Sequence, residues 1–198
     1  MDSQIAERIR QYVMGSVKPA RYEHSLRTAE TCRKMCAVYG QNADKGYLAG
    51  IAHDMCKEMP ARLLISLAEQ DGSPVSALEA EKPSLLHGRA AAVKLYADYG
   101  IYDDDILNAV RNHTFGRAGM SGLEKILYVA DKIEPGRPHS SSAYVSGLLK
   151  YSLDTVVLKI LRDNLEYLKA SGKAVAPATF ALYEELQSQP ERKKGGKR

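Results

Sequence analysis

No apolar run in the 198-residue chain approaches the roughly 20 residues that a membrane-spanning helix requires. The first residues, Met1-Asp-Ser-Gln-Ile-Ala-Glu-Arg, are polar and amphipathic, and they lack the apolar core of a signal peptide. Cysteine is scarce. Cys32, Cys36 and Cys56 are an odd number, two of them at helical spacing, which speaks for reduced thiols rather than a disulfide framework. These absences point to a cytoplasmic protein with no membrane partner. A preponderance of charge of one sign is also missing from most of the chain. The net charge is +4, but the last eight residues carry five bases and one acid, so residues 1–190 balance 23 bases against 23 acids. A neutral body argues against nucleic acid as a partner. Residues 190–198 read as a basic, disordered, solubilising tail.

No segment shows the sustained alternation of a half-buried strand, and no internal repeat is visible. Apolar residues recur instead at spacings of three and four. Ile5, Ile9, Tyr12 and Val13 mark a first helix ending near Gly15. Pro19 suits the first turn of a second, to about residue 40. A third is expected over 43–56 and a short fourth over 60–69, with 75–83 irregular. A helix over 85–98 closes at Gly100, and Asp103–Asp105 open another that reaches His113. Ser121 and Glu124 have capping-box spacing for a helix to Ile133, and Glu134-Pro-Gly-Arg-Pro138 must break it. Two long helices are expected over 141–170 and 178–188. The reading is all-α: one helical-bundle domain over 1–189, with a core at about 18–135 and C-terminal helices after it.

The informative stretch is Tyr47-Leu-Ala-Gly-Ile-Ala-His53-Asp54-Met-Cys-Lys57. A histidine beside an aspartate offers one borderline and one hard ligand, and Gly50 and Ala52 leave room for something to approach. Asp54 falls three residues after Ile51, and Asp131 one turn past Leu127, so both carboxylates point along apolar helix faces. A buried, unpaired carboxylate costs several kcal/mol and demands Lys, Arg or a metal. Four histidines, His24, His53, His87 and His113, sit on expected helices or their ends. Mixed imidazole and carboxylate donors suit Fe, Mn, Zn or Co.

The order His24, His53-Asp54, His87, His113, Asp131 resembles the HD superfamily of metal-dependent phosphohydrolases, and more closely the YqeK family of bacterial HD proteins. The resemblance rests on Arg21-Tyr-Glu-His24-Ser, on the doublet stretch, on Leu86-His-Gly, on 106–114, and above all on Tyr128-Val-Ala-Asp-Lys-Ile-Glu-Pro-Gly-Arg137. It covers roughly residues 15–185. It implies an HD-domain helical bundle and symmetrical hydrolysis of diadenosine tetraphosphate to two ADP, by metal-activated water attack on phosphorus. The implied cofactor is a pair of iron ions, with Mn, Co or Zn as alternatives. His24, His53, Asp54 and Asp131 would hold one ion, and His87 and His113 the second, with Asp54 bridging. Lys57 would contact the phosphate chain or assist the leaving group. Arg137, Arg21 and Thr114 would contact substrate, and Glu134 would brace Lys132 or Arg137. The implied ligands are a dinucleoside polyphosphate and a nucleoside diphosphate, ADP or GDP. Dimerisation is left open. Two rivals share the site: an HD nucleotidase or phosphodiesterase acting on other nucleotides, and a module that binds nucleotide without turnover. Tyr12, Tyr96, Tyr99 and Tyr128 are weighed as base-stacking residues, with a core role as the plainer reading.

Overall fold

The computed structural model describes residues 3–194. Eleven α-helices follow in order: α1 Ser3–Ser16, α2 Pro19–Tyr39, α3 Ala43–Ala52, α4 Ala61–Ala68, α5 Ala77–Glu81, α6 His87–Tyr99, α7 Asp104–Asn112, α8 Gly122–Ile133, α9 Ser142–Leu148, α10 Leu153–Ala170 and α11 Pro177–Gln187. Short 3-10 turns at Glu69–Asp71 and Pro83–Leu86 join α4, α5 and α6. No strand occurs among the described residues beyond an isolated bridge between Tyr151 and Lys193.

Helix ends follow local chemistry. Asn42 accepts backbone N–H bonds from Asp44 and Lys45, and Asp103 does the same for Asp105 and Ile106. Ser121 and Glu124 form the expected capping box. Gly40 and Gly100 close α2 and α6 at positive φ, where a side chain would be strained. Three expectations change. The third helix stops at Ala52, and His53 caps it, with a run of tight turns to residue 59. The helix expected over 141–170 is two, because the Ser152 hydroxyl accepts from the Thr155 amide and opens α10 afresh. Part of the segment expected to be irregular is α5, opened by a capping box of Ser76 and Glu79 that periodicity does not reveal.

The core is centred where α2 lies along α3 and α8, and where α7 is packed by α3, α6 and α8. Gly50 of α3 permits the closest approach. A Cβ there would lie 2.5 Å from the Ala29 Cα, so the room left by Gly50 is filled by α2 and not by a ligand. Gly88 does the same between α6 and α7, where a Cβ would meet the Val110 carbonyl at 2.8 Å. The first seats α3 on α2, and the second seats the start of α6 against the end of α7. Residues 190–194, expected to begin a free tail, pair with the chain before α10: Ser152 N–H donates to the Arg192 carbonyl, and Lys194 N–H to the Lys150 carbonyl. The rest of the expected tail, 195–198, lies outside the described residues, as do residues 1 and 2.

Candidate metal centre

All six side chains of the sequence motif meet in one place. His24 comes from the first turns of α2, His53 from the cap of α3, and Asp54 from the turn after it. His87 is the first residue of α6, His113 caps α7, and Asp131 lies on the last turn of α8. His53, His87, His113 and Asp54 are each less than 5% exposed.

The imidazoles are oriented by what their other nitrogen touches. His53 Nδ1 lies 2.7 Å from the Gly50 carbonyl, His87 Nδ1 2.8 Å from that of Ser84, and His113 Nδ1 2.7 Å from that of Val110. A carbonyl only accepts, so Nδ1 carries the proton and donates, and Nε2 presents a lone pair inward. His24 Nδ1 is held by the Glu134 carboxylate at 3.2 Å. All four Nε2 atoms converge. His24 Nε2 lies 3.2 Å from His53 Nε2 and 3.1 Å from Asp131 Oδ1, and His53 Nε2 is 3.7 Å from that oxygen. His87 Nε2 lies 3.0 Å from His113 Nε2 and 3.1 Å from Asp54 Oδ1, which is 3.9 Å from His113 Nε2. The other Asp54 oxygen, Oδ2, faces the first triangle, 4.0 Å from His24 and 3.8 Å from His53.

Two ligands bound at about 2.1 Å and at right angles to each other stand about 3.0 Å apart. Lone pairs facing one another at that spacing repel unless a cation lies among them. The donor chemistry, the inward Nε2 atoms and the spacing therefore fit a bound divalent metal, with imidazole and carboxylate but no thiolate. The pairing of each Nδ1 with a carbonyl or carboxylate is the outer support that metal-binding histidines use. Two candidate trios emerge from distance alone: His24, His53 and Asp131, and His53, Asp54 and His113.

The protonation states agree. Burial pushes the His53 and His113 imidazolium pKa values down, and for His113 the neighbouring His87 and His53 add to it. Both rings stay neutral, as ligands must. Burial alone would raise the carboxyl pKa values, but histidines around Asp54 hold it well below the usual range, and Lys132 and His24 do so for Asp131.

His24 differs. Burial opposes its charge, yet hydrogen bonds with Asp131 and Glu134 outweigh this and raise its pKa above the ordinary value. In the metal-free protein, its protonation contributes stability that is full below the unfolded-state pKa and is lost as pH rises through the raised one. A metal on Nε2 must displace that proton. Metal affinity is therefore expected to fall about tenfold per pH unit below the raised His24 pKa. Metal titrations between roughly pH 8 and pH 5 check this, and a flat profile would contradict it.

The remaining expected residues surround the six. Arg21 Nη1 donates to Asp54 Oδ2, and Lys57 Nζ stands 3.2 Å from both ring nitrogens of His87. The Thr114 hydroxyl is 3.4 Å from the Nε2 atoms of His87 and His113. Arg137, expected to face a phosphate, is clamped on Asp131 through Nη2 to Oδ1 and Nε to the backbone oxygen, both at 2.8 Å. The cation that Asp131 demands is thus present within the chain. Glu134 pairs with Arg137, Oε1 lying 3.8 Å from its Nε, and its carboxylate also takes bonds from His24, Arg27 Nε and the Gly136 amide. Arg27 is a residue that motif spacing misses, although it lies one turn after His24. None of the four weighed tyrosines stacks at the site. Tyr12 packs edge-on against Tyr99, Tyr96 against Tyr102, and Tyr128 is fully buried.

Comparison with known proteins matches the HD domain family over residues 21–136. A Bacillus subtilis protein named symmetrical bis(5'-nucleosyl)-tetraphosphatase is 32% identical, over 85% of this chain and 90% of its own length. A Staphylococcus aureus protein of the same name is 35% identical, over 75% of this chain and 77% of its own. A crystal structure from Clostridium acetobutylicum, described as a predicted HD superfamily hydrolase involved in NAD metabolism, superposes with a TM-score of 0.85 at 30% identity, covering 92% of this chain and 96% of that one. A six-residue centre drawn from five helical segments, and relatives that align along most of both chains, have one reading: the chain belongs to the HD-domain family, among the YqeK-type bacterial proteins.

Proposed function

We propose that this protein hydrolyses diadenosine tetraphosphate symmetrically to two ADP at a two-metal centre. The observation that carries the reading is the position of Asp54, with one oxygen facing His87 and His113 and the other facing His24 and His53. The names of the relatives supply the substrate class. His24, His53 and Asp131 would hold one ion, His87 and His113 the other, with Asp54 shared between them. Two iron ions are the proposed occupants, with Mn, Co or Zn as substitutes. When bound, the ions activate a water for attack on phosphorus and offset the charge that builds on the phosphoryl oxygens.

The chain's own groups do the rest. Water oxygen bonds to one of the two middle phosphorus atoms, and the bond from that phosphorus to the central bridging oxygen breaks. The bridging oxygen ends in the second ADP and is left needing a proton or a cation. Lys57, 3.2 Å from the His87 ring nitrogens, would supply either, and burial lowers its pKa and makes its ammonium a better acid. Arg21, Lys132 and Arg137 add positive charge around the phosphate path, with the Nε and Nη2 of Arg137 engaged by Asp131. Among the described residues, no helix is long and apolar enough to cross a membrane, and a cytoplasmic site of action completes the proposal.

Two experiments test it. Metal-loaded protein incubated with diadenosine tetraphosphate is expected to release ADP alone, and ATP with AMP in equal amounts would overturn symmetrical cleavage. Lys57→Ala is expected to slow turnover about 100-fold while metal content is unchanged. Loss of the metal in that variant would assign Lys57 to a structural ion pair instead.

A further inference from the structure

The substrate proposed above has two nucleosides joined by four phosphates, cut at the middle. If its middle lies at the metal centre, its two ends must leave in two directions. The surface around the centre offers two such directions. One cleft of ≈ 840 Å³ begins at Lys132 and Arg137, which touch Asp131 at 3.5 and 2.8 Å, and runs out past Tyr144, Asp163 and Tyr167. Another, of ≈ 370 Å³, begins at Thr114, whose hydroxyl is 3.4 Å from His87 and His113 Nε2. Asn164 of α10 lines both. The two clefts therefore reach the six-residue set at different points, one at Asp131 and the other at His87 and His113, and both have volumes in the range, roughly 300–1,000 Å³, of small-ligand sites.

The smaller cleft has walls suited to a base. Leu78, Leu85, Phe115 and Leu168 line it, all half-buried, and none of them joins the hydrophobic core or packs against it. Apolar side chains held together beside open space, rather than against the core, gain burial only when something enters. Lys82 and Lys173 also line the cleft and match the charge of a phosphate chain.

We infer that the Thr114–Phe115 cleft holds one nucleoside of the substrate and that the Arg137–Tyr144 cleft across Asn164 holds the other. Symmetrical cleavage then has a geometric cause, because the site seats both arms and only the middle of the chain reaches the ions. This rests on the proposed activity for the identity of the ligand, but its test does not depend on turnover.

The test is equilibrium titration of the full-length, metal-loaded chain with ADP, which represents either half. Wild type is expected to bind about two ADP per chain. Ala174→Trp fills the smaller cleft from an exposed position, and Phe115→Ala strips its aromatic wall; each is expected to leave about one site. Asp163→Trp, on the exposed side of α10 in the other cleft, is expected to remove the other site. Helical circular dichroism confirms that each variant folds. A single ADP site in wild type, or an unchanged count in both Ala174→Trp and Phe115→Ala, overturns the inference. Diadenosine tetraphosphate hydrolysis by wild type is measured alongside. Two ADP sites without hydrolysis sink the proposed activity and keep the clefts, and hydrolysis with one ADP site does the reverse.

Discussion

Asp54→Ala is expected to abolish both metal binding and hydrolysis while leaving the helical fold in place. Residues that only orient a ligand typically cost 10–100-fold on mutation, roughly, in metal affinity or activity. Asp54 does more, since it is the single carboxylate with one oxygen toward each histidine set. Its loss separates the two sets and leaves the Arg21 guanidinium with Glu58 alone, 3.5 Å from its Nε. The activity loss is expected to exceed about 1,000-fold, beyond the outer-shell range. The fold should survive, because Asp54 lies in a turn after α3 and carries no helix hydrogen-bonding ladder. Asp54→Asn keeps the shape and one acceptor oxygen but removes the charge, so it should weaken metal binding less than Asp54→Ala. Elemental analysis of the purified variants, with product analysis on diadenosine tetraphosphate, gives the outcome. Normal metal content or normal turnover in Asp54→Ala would place the reaction elsewhere on the chain.

What the sequence reveals of this centre, and what it hides, follows from the range of the interactions concerned. The six side chains are legible because each sits at a helix end or on an apolar face where its residue type is costly, and because their order matches a known motif. The helices are legible because apolar periodicity and capping are local. The break between α9 and α10 is local too, but a serine is read as a cap only once the chain is known to stop there. The support of His24 is not local: Glu134 and Arg27 stand 107 residues apart in sequence and meet only when α2 packs on α8. Gly136 gives a partial clue, since a Cβ there would collide with the Arg27 guanidinium, so the glycine of Glu134-Pro-Gly-Arg137 is the space that lets Arg27 in. The clefts are the least legible feature. Phe115 and Leu168 carry no signal in the sequence, and only the fold shows that they line a cleft rather than the core.

Arg89, which no motif singles out, is expected to be the costliest surface-adjacent residue to remove. It is two residues past His87 on α6, and its side chain is 11% exposed. Its Nε and Nη2 hold both oxygens of Asp71 at 2.8 Å, and the Asp71 side chain is fully buried. Nη1 reaches Glu79 at 3.2 Å and the Pro74 carbonyl at 3.1 Å, while Nη2 reaches the Ser73 carbonyl at 2.6 Å. One guanidinium thus fastens the 3-10 turn after α4, the loop that follows and the start of α5 onto the helix that presents His87. Truncation leaves Glu79 without its cation and Asp71 with only the Arg111 guanidinium, 4.0 Å away, in a water-poor site. Breaking a buried pair from one side costs about 3–5 kcal/mol, and for a chain of this size each kcal/mol lowers Tm by about 2–4 °C. Arg89→Ala is therefore expected to lower Tm by about 6–20 °C. The loss should also depend on pH. Arg89 holds the Asp71 carboxyl below its ordinary pKa against the opposing effect of burial. A depressed folded-state pKa contributes stability that is present above the unfolded value and lost as pH falls through the folded one. The gap between wild type and Arg89→Ala should accordingly be widest near neutral pH and close in acid. Removing both charges in Arg89→Met with Asp71→Leu should recover part of the loss, because the buried Asp71 carboxylate no longer lacks its main cation, although Glu79 still does. Denaturant unfolding of the three proteins at two pH values measures all of this. A loss below about 1 kcal/mol for Arg89→Ala would reduce the cluster to an ordinary surface pair. A loss of the expected size, with metal content intact, would separate the residues that hold the His87 helix in place from those that hold the ions.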